Sequence, residues 1–379
     1  MPEALITPQM LAWSRARAGL SPAELARKIG IQEDRLLSWE AGEAAPTFRQ
    51  AQRLARSAQV PFGFLYLNEP PTDGLPFPDM RTVGDQPTPQ ISLALRETIK
   101  EVWQRQLWYR EYQQERDADP VGVIGKADLT AAPDAVVADI RGTLNIEFPP
   151  RFARASDYLR DLVGRIEALG VLVMRNSVVS NKTKQPLNVN DFRGFAIADP
   201  LAPVIFINTA DAPGAQLFTL MHELTHIWLG KSAISDGDPA TRSELERFCN
   251  AVAAEFLVPA DALLARWHEE IAWESDLPQL AADLHASQWA IARRAHDLGL
   301  VNDDDYRGYV RRRLSEPNTK PTGGAVPYGR VQKTRIGARF ASAVAEEALS
   351  GRLLLRDAHR LTGIRPEKMS EFVRKELAD

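Results

Sequence analysis

Apolar residues recur along this chain mostly at helical spacing, with alternation confined to a few short stretches in the middle. Near the N-terminus Ser21, Pro22 and Glu24 give the N-cap, first-turn proline and capping-box glutamate of a helix, and Gly30 permits a tight turn after it. A second helix follows over residues 31–41 with Leu36, Leu37 and Trp39 apolar and Gly42 fitting its C-cap. Thr47 caps another helix through residue 58, and residues 61–67 supply a last short apolar piece. Five short helices in about 65 residues, with a glycine turn between the second and third, predict a helix-turn-helix domain.

Residues 68–90 are rich in Pro, Gly and Asp and read as an ordered loop or linker. A long helical pattern over residues 91–114 places Trp103, Leu107, Trp108 and Tyr112 on a stripe, which predicts core packing ahead of substrate docking. Residues 133–144 and 156–169 predict two more helices. The β-branched segment 171–179, with 192–197 and 204–207, predicts a small sheet. Helical patterns return at 217–229, at 241–259 before Pro259, at 277–284, and at 287–298 behind the N-cap Ser287. The tail from 341 to 377 reads as short helices around Thr362 and Gly363. The predicted fold is multi-domain, mainly α with a small α+β part. Its expected boundaries are 1–67 for the helix-turn-helix domain, 68–150 for a linker and helical connector, 151–300 for the α+β domain, and 301–379 for a basic connector and C-terminal helical region.

The composition, 44% hydrophobic and 25% charged over 379 residues, suffices for several buried cores. A net charge of −4 gives no global attraction to nucleic acid, so DNA contact would come from local patches. No apolar run reaches the ~18 residues of a membrane span, and the start Met1-Pro2-Glu3 lacks the layout of a signal peptide, so a cytoplasmic protein without membrane partners is expected. The single cysteine, Cys249, excludes an internal disulfide and reads as core packing. Residues 307–339 hold nine basic residues against Glu316 alone, a stretch suited to nucleic acid, an acidic partner or a solvated connector.

The strongest chemical signal is His222-Glu223-Leu224-Thr225-His226, inside the apolar run at 217–229. Residues four apart share a helix face, so His222 and His226 present imidazoles to one divalent metal while Glu223 points into the same cleft. Zinc lowers the pKa of water to about 7, and an adjacent carboxylate can take the proton as the nucleophile attacks a carbonyl. Glu223 is the candidate base. Two histidines leave a catalytic zinc one protein ligand short. On the helix at 241–259, Glu246, Asn250 and Ala253 share a face, making Glu246 the leading third ligand ahead of Glu244 and Glu255. Zn²⁺ is the expected cofactor, and Mn²⁺ or another divalent ion suits the same donors.

Arg193-Gly194-Phe195, Val204 to Asn208, Phe218 to His226, and Glu246-x-x-Cys249-Asn250-x-x-Ala253-Ala254-Glu255-Phe256-Leu257-Val258-Pro259 together resemble the ImmA/IrrE metallo-endopeptidases across roughly residues 156–300. The resemblance implies a small gluzincin-like α/β zinc peptidase domain with His222, His226 and Glu246 as metal ligands and Glu223 as catalytic glutamate. It also implies a protein substrate of the helix-turn-helix repressor type. Gln216 and Leu217 stand where many members carry a basic residue, at the helix start. Within the linker, Leu75 to Arg81 resembles a Pro-Asp-Phe-Arg element of such proteins. His285 and His296 are candidates to stabilise an oxyanion, as a His or Tyr does in related sites.

The N-terminal string Arg17-x-Gly19-Leu20-Ser21-x-x-Glu24-Leu25-Ala26, with Gly30, Trp39-Glu40-x-Gly42 and Pro46-Thr47, resembles XRE/Cro-type repressor domains. In that resemblance the helix from residue 31 is the recognition helix, and Gln32, Arg35 and Ser38 face operator DNA. Glu33 and Asp34 oppose phosphate contact there, and residues 1–60 carry eight basic against six acidic side chains, a modest balance for DNA binding. A protein-interaction or dimerisation role is the alternative for this domain, and repressor-like pairing on palindromic sites would make a homodimer.

Two functions follow. The first is a zinc-dependent endopeptidase fused to a repressor-like DNA-binding domain, regulating transcription by cleaving a repressor-type protein. The alternative is a transcriptional regulator or an antitoxin paired with a toxin, using the peptidase fold for binding or sensing.

Overall fold

Two capping boxes set the first helices. Ser21 Oγ accepts from the Glu24 amide at 3.2 Å while Glu24 Oε2 accepts from the Ser21 amide at 2.8 Å. Thr47 and Gln50 repeat the exchange at 3.4 and 2.9 Å, so each pair satisfies two amides that a helix start leaves open. In the computed structural model, which describes residues 3–71, 92–152, 154–235, 243–268, 270–284, 286–315 and 327–377, these boxes open α2 (Pro22–Ile29) and α4 (Phe48–Ser57). They join α1 (Pro8–Arg17), α3 (Glu33–Glu40) and a 3₁₀ turn at Phe62–Tyr66. Gly30, at φ 73°, makes the left-handed turn between α2 and α3 that other residues adopt at a cost. Leu11, Leu25, Ile29, Leu36, Trp39 and Leu54 fill the core between these helices. Arg15 clamps α1 to α3 through both oxygens of Glu40, at 2.7 and 2.8 Å.

The chain divides into two units, Met1–Lys100 and Glu101–Asp379, with the boundary inside α5 (Leu93–Gln114). In the second unit α6 (Pro133–Leu144) and α7 (Ala155–Ala168) precede a sheet of β1 (Leu172–Asn176), β2 (Gly194–Ile197), β3 (Val204–Asn208) and β4 (Ala233–Ser235). Among the described residues the strand order is β1-β3-β2-β4, with β1 parallel to β3 and β2 antiparallel to both its neighbours. Every residue of β2 and β3 is buried, which explains their unbroken apolar sequences.

Behind the sheet, α8 (Pro213–Trp228) packs against α9 (Glu244–Leu257). Residues assigned by sequence to the connector join the same core: Val136, Val137 and Ile140 of α6 pack with Leu220, Leu224, Ile227 and Val252. Trp228 is fully buried and donates its indole N–H to Asp139 Oδ2 at 2.7 Å, satisfying the polar end of a large apolar side chain. At the start of α8, Gln216 is buried and donates to the Asp211 carbonyl at 2.8 Å. Short helices α10 (Ala260–Leu264), α11 (Trp273–Asp283), α12 (Gln288–Asp297) and α13 (Asp303–Ser315) follow, with a core that includes Leu277, Leu280 and Ile291.

The tail comprises α14 (Tyr328–Ile336), α15 (Ala338–Leu349), α16 (Leu355–Thr362) and α17 (Met369–Phe372). The described part of the basic stretch is folded rather than a bare connector. Arg335 reaches Asn181 at 2.8 Å, and Arg339 bonds the Tyr109 hydroxyl at 2.8 Å and the Glu167 carbonyl at 3.1 Å. The aromatic stripe of α5 is packed too: Trp108 and Tyr109 lie against Phe340 at ring separations of 5.6 and 6.4 Å.

Candidate metal centre

Pro213 at the first turn of α8 and the apolar residues after it keep this helix inside the fold, so His222, Glu223 and His226 are all buried. One helical turn brings His222 Nε2 and His226 Nε2 to 3.2 Å. From α9, Glu246 reaches both imidazoles, with Oε2 at 3.1 Å from His222 Nε2 and Oε1 at 3.2 Å from His226 Nε2. Ligands about 2.0–2.1 Å from a tetrahedral zinc sit about 3.3 Å from one another, so this triangle has the size of three ligands around one ion. A His₂-carboxylate donor set suits zinc and leaves a position for water or substrate. The three residues therefore fit the metal that the motif implies.

A fourth side chain orients the first histidine. His222 Nδ1 lies 3.0 Å from Asn250 Oδ1; since an amide oxygen only accepts, Nδ1 carries a proton, which leaves Nε2 to face Glu246 and His226. Sequence reading placed Asn250 on the Glu246 face without giving it a part. Its signal was the four-residue step from Glu246.

Glu223 is fully buried, and neither of its carboxylate oxygens has a hydrogen-bond partner among the described residues. Ser235 Oγ, close by on β4, makes no bond with it of acceptable geometry and is itself unpartnered. Burial pushes the Glu223 carboxyl up to about 8, against a smaller opposing pull from His222. Room for this side chain comes from Gly194: a Cβ there would stand 2.8 Å from Glu223 Oε1, 2.6 Å from Thr219 Cγ2 and 2.8 Å from the Phe206 carbonyl. At Glu246 burial raises the pKa, but the hydrogen bonds and charges of His222 and His226 outweigh it and hold the carboxyl well below its ordinary range. Burial lowers His226; it also opposes ionisation of His222, where hydrogen bonding to Glu246 and the nearby carboxylate charges win and the net direction is up.

The other candidates lie elsewhere. Glu244 is exposed in the first turn of α9, and Glu255 pairs with Arg294 of α12. His296 stacks on Tyr306 at 4.5 Å and bonds Asp303 at 2.6 Å, which engages it away from the metal triangle. His285 and the Leu75 to Arg81 element lie outside the described residues. In the first unit, Gln32 and Arg35 are exposed and Ser38 is half-buried on α3, while Leu36 and Trp39 turn into the core. Ser38 Oγ donates to the Arg35 carbonyl at 2.9 Å, which directs its hydroxyl toward the helix backbone.

Family models match three parts of the chain: a helix-turn-helix at residues 11–65, an IrrE N-terminal-like domain at 166–296, and a domain of unknown function at 336–375. No curated protein matches the chain. The second match spans the sheet, α8, α9 and nearly all of α12, and so contains His222, Glu223, His226, Glu246 and Asn250. The chain thus joins an XRE-type helix-turn-helix to an ImmA/IrrE-type domain, as the motifs at both sites imply.

Proposed function

We propose that the protein is a zinc-dependent endopeptidase joined to a DNA-binding regulatory domain, acting on a repressor-type protein. The observation that carries the reading is the triangle of His222, His226 and Glu246 with an unpartnered, buried glutamate beside it. A bound zinc would supply a Lewis acid for the scissile carbonyl and would acidify water. His222 and His226 would hold the ion as neutral imidazoles, with the Asn250 oxygen keeping the His222 proton on Nδ1. Glu223 would take the proton from the attacking water on a carboxylate oxygen. It would then return that proton to the leaving amine.

In the same reading Gln32 and Arg35 would meet base edges and phosphates of an operator, from the exposed side of α3. Work on DNA and on a repressor would place the protein in the cytoplasm, and pairing on a palindromic operator would make it a homodimer. Among the described residues no helix is long and apolar enough to cross a membrane.

The test is N-terminal labelling of cell lysates treated with zinc-loaded wild type or with Glu223→Gln. New N-termini that appear only with wild type, within helix-turn-helix proteins, support the peptidase. Identical labelling, with regulation of a reporter retained by Glu223→Gln, would transfer the assignment to a regulator or antitoxin that uses the fold for binding.

A further inference from the structure

Cys249 is the single cysteine of the chain and is fully buried on α9, between the two residues that already engage His222. Its Sγ and one ring nitrogen each of His222 and His226 all lie within 4.8 Å of one another. A cysteine that serves only as packing sits among apolar groups. This one sits beside two imidazoles, and burial with the charges of Glu246 and Glu223 holds its thiol protonated, well above the usual range, so a bound cation is what would draw out the thiolate.

A second observation marks the same pocket as built for a ligand. Both oxygens of Glu223, in electrostatic reach of His222 and Glu246, are buried and unpartnered among the described residues. Buried polar atoms without partners lose their hydration with nothing in return. A cation and the ligands it draws in would offset that cost.

We propose that Cys249 Sγ is a fourth protein ligand for the divalent metal at His222, His226 and Glu246. The proposal rests on the metal-centre reading above and concerns how that centre is regulated. Three protein ligands leave the position that hydrolysis needs, whereas four close the tetrahedron in the manner of a structural site. Closing it asks Sγ to move by on the order of 1 Å, since a thiolate and an imidazole nitrogen on one zinc stand about 3.5 Å apart. As the metal–sulfur bond forms the S–H bond breaks, and its proton passes to solvent; no electron is transferred. The centre then has two states: a thiolate-closed state without hydrolysis and an open state in which substrate or water takes the fourth place. A thiolate also biases the site toward zinc, cobalt or cadmium and away from manganese or magnesium.

Cobalt titration of the metal-stripped full-length protein tests this directly. Visible d–d bands report a cobalt ion in the site, and a near-ultraviolet sulfur-to-cobalt charge-transfer band reports the thiolate. Wild type is expected to show both, Cys249→Ala and Cys249→Ser only the visible bands, and the His222→Ala/His226→Ala variant neither. Visible bands without the near-ultraviolet band in wild type would overturn the thiolate ligand and leave the His₂-Glu centre standing. Absence of every cobalt band in wild type would overturn the metal centre and the thiolate together. The wild-type spectrum decides between these outcomes even where a variant fails to fold.

Discussion

His222 Nδ1 and Asn250 Oδ1 stand 3.0 Å apart across two helices, and this contact fixes which nitrogen of His222 faces Glu246. A partner of this kind orients a ligating imidazole and raises its basicity. Asn250→Ala should weaken zinc binding about 10–100-fold, measured by competition with a chelator. Asn250→Asp keeps an acceptor and should retain most of the affinity. An affinity unchanged in the alanine variant would remove the orienting role.

Gly194 sits where β2 passes under α8. A methyl group there would meet the Phe206 carbonyl, which is backbone and cannot swing aside, as well as Thr219 and Glu223. Gly194→Ala should destabilise the second unit by about 1–3 kcal/mol in denaturant unfolding, as overpacking in cores does. A wild-type midpoint would show that sheet and helix have slack here.

Glu167 carries a pH signature remote from the metal triangle. Burial pushes its carboxyl from 4.5 up to about 7, against smaller opposing contributions from the Arg339 amide and from Arg175. The folded state therefore binds more protons than the unfolded chain between these values. Stability should fall as pH rises from about 4.5 to about 7, with the full cost present above that window. Glu167→Gln keeps an acceptor for the Arg339 amide and removes the ionisation. The difference in unfolding free energy between variant and wild type should grow in the variant's favour across the window, by up to about 3 kcal/mol. A constant difference from pH 4 to pH 8 would contradict this.

Arg35 is exposed on α3 and lies 5.8 Å from the Trp39 ring centroid. On the DNA-binding reading, Arg35→Ala should cost about 1–3 kcal/mol of affinity for the protein's own upstream DNA, read by fluorescence anisotropy. Equal binding by both proteins would favour the protein-interaction role for this domain.

Helical spacing made much of this legible. The four-residue step put His222 and His226 on one face. The steps from Glu246 to Asn250 and Ala253 singled out Glu246 over Glu244 and Glu255, whose side chains face solvent and Arg294. The capping box at Ser21 and the cap at Thr47 were readable because their partners lie within one turn, while the return bond from Gln50 at Thr47 was not singled out. β4 was missed because three residues, Ala233–Ser235, are too few for alternation to show. The Asn250 contact and the thiol of Cys249 depend on the approach of α8 to α9, a distance that no periodicity contains. An apolar helix face reads alike whether it meets leucines or imidazoles.

Metal analysis of purified protein bears most directly on the central claim that His222, His226 and Glu246 form a metal centre. After zinc-replete purification, wild type and Glu223→Gln should each hold about one zinc per chain, and His222→Ala/His226→Ala and Glu246→Ala should hold far less at unchanged helical content. Wild-type protein without stoichiometric metal, or a His222→Ala/His226→Ala variant that retains it, would contradict the claim.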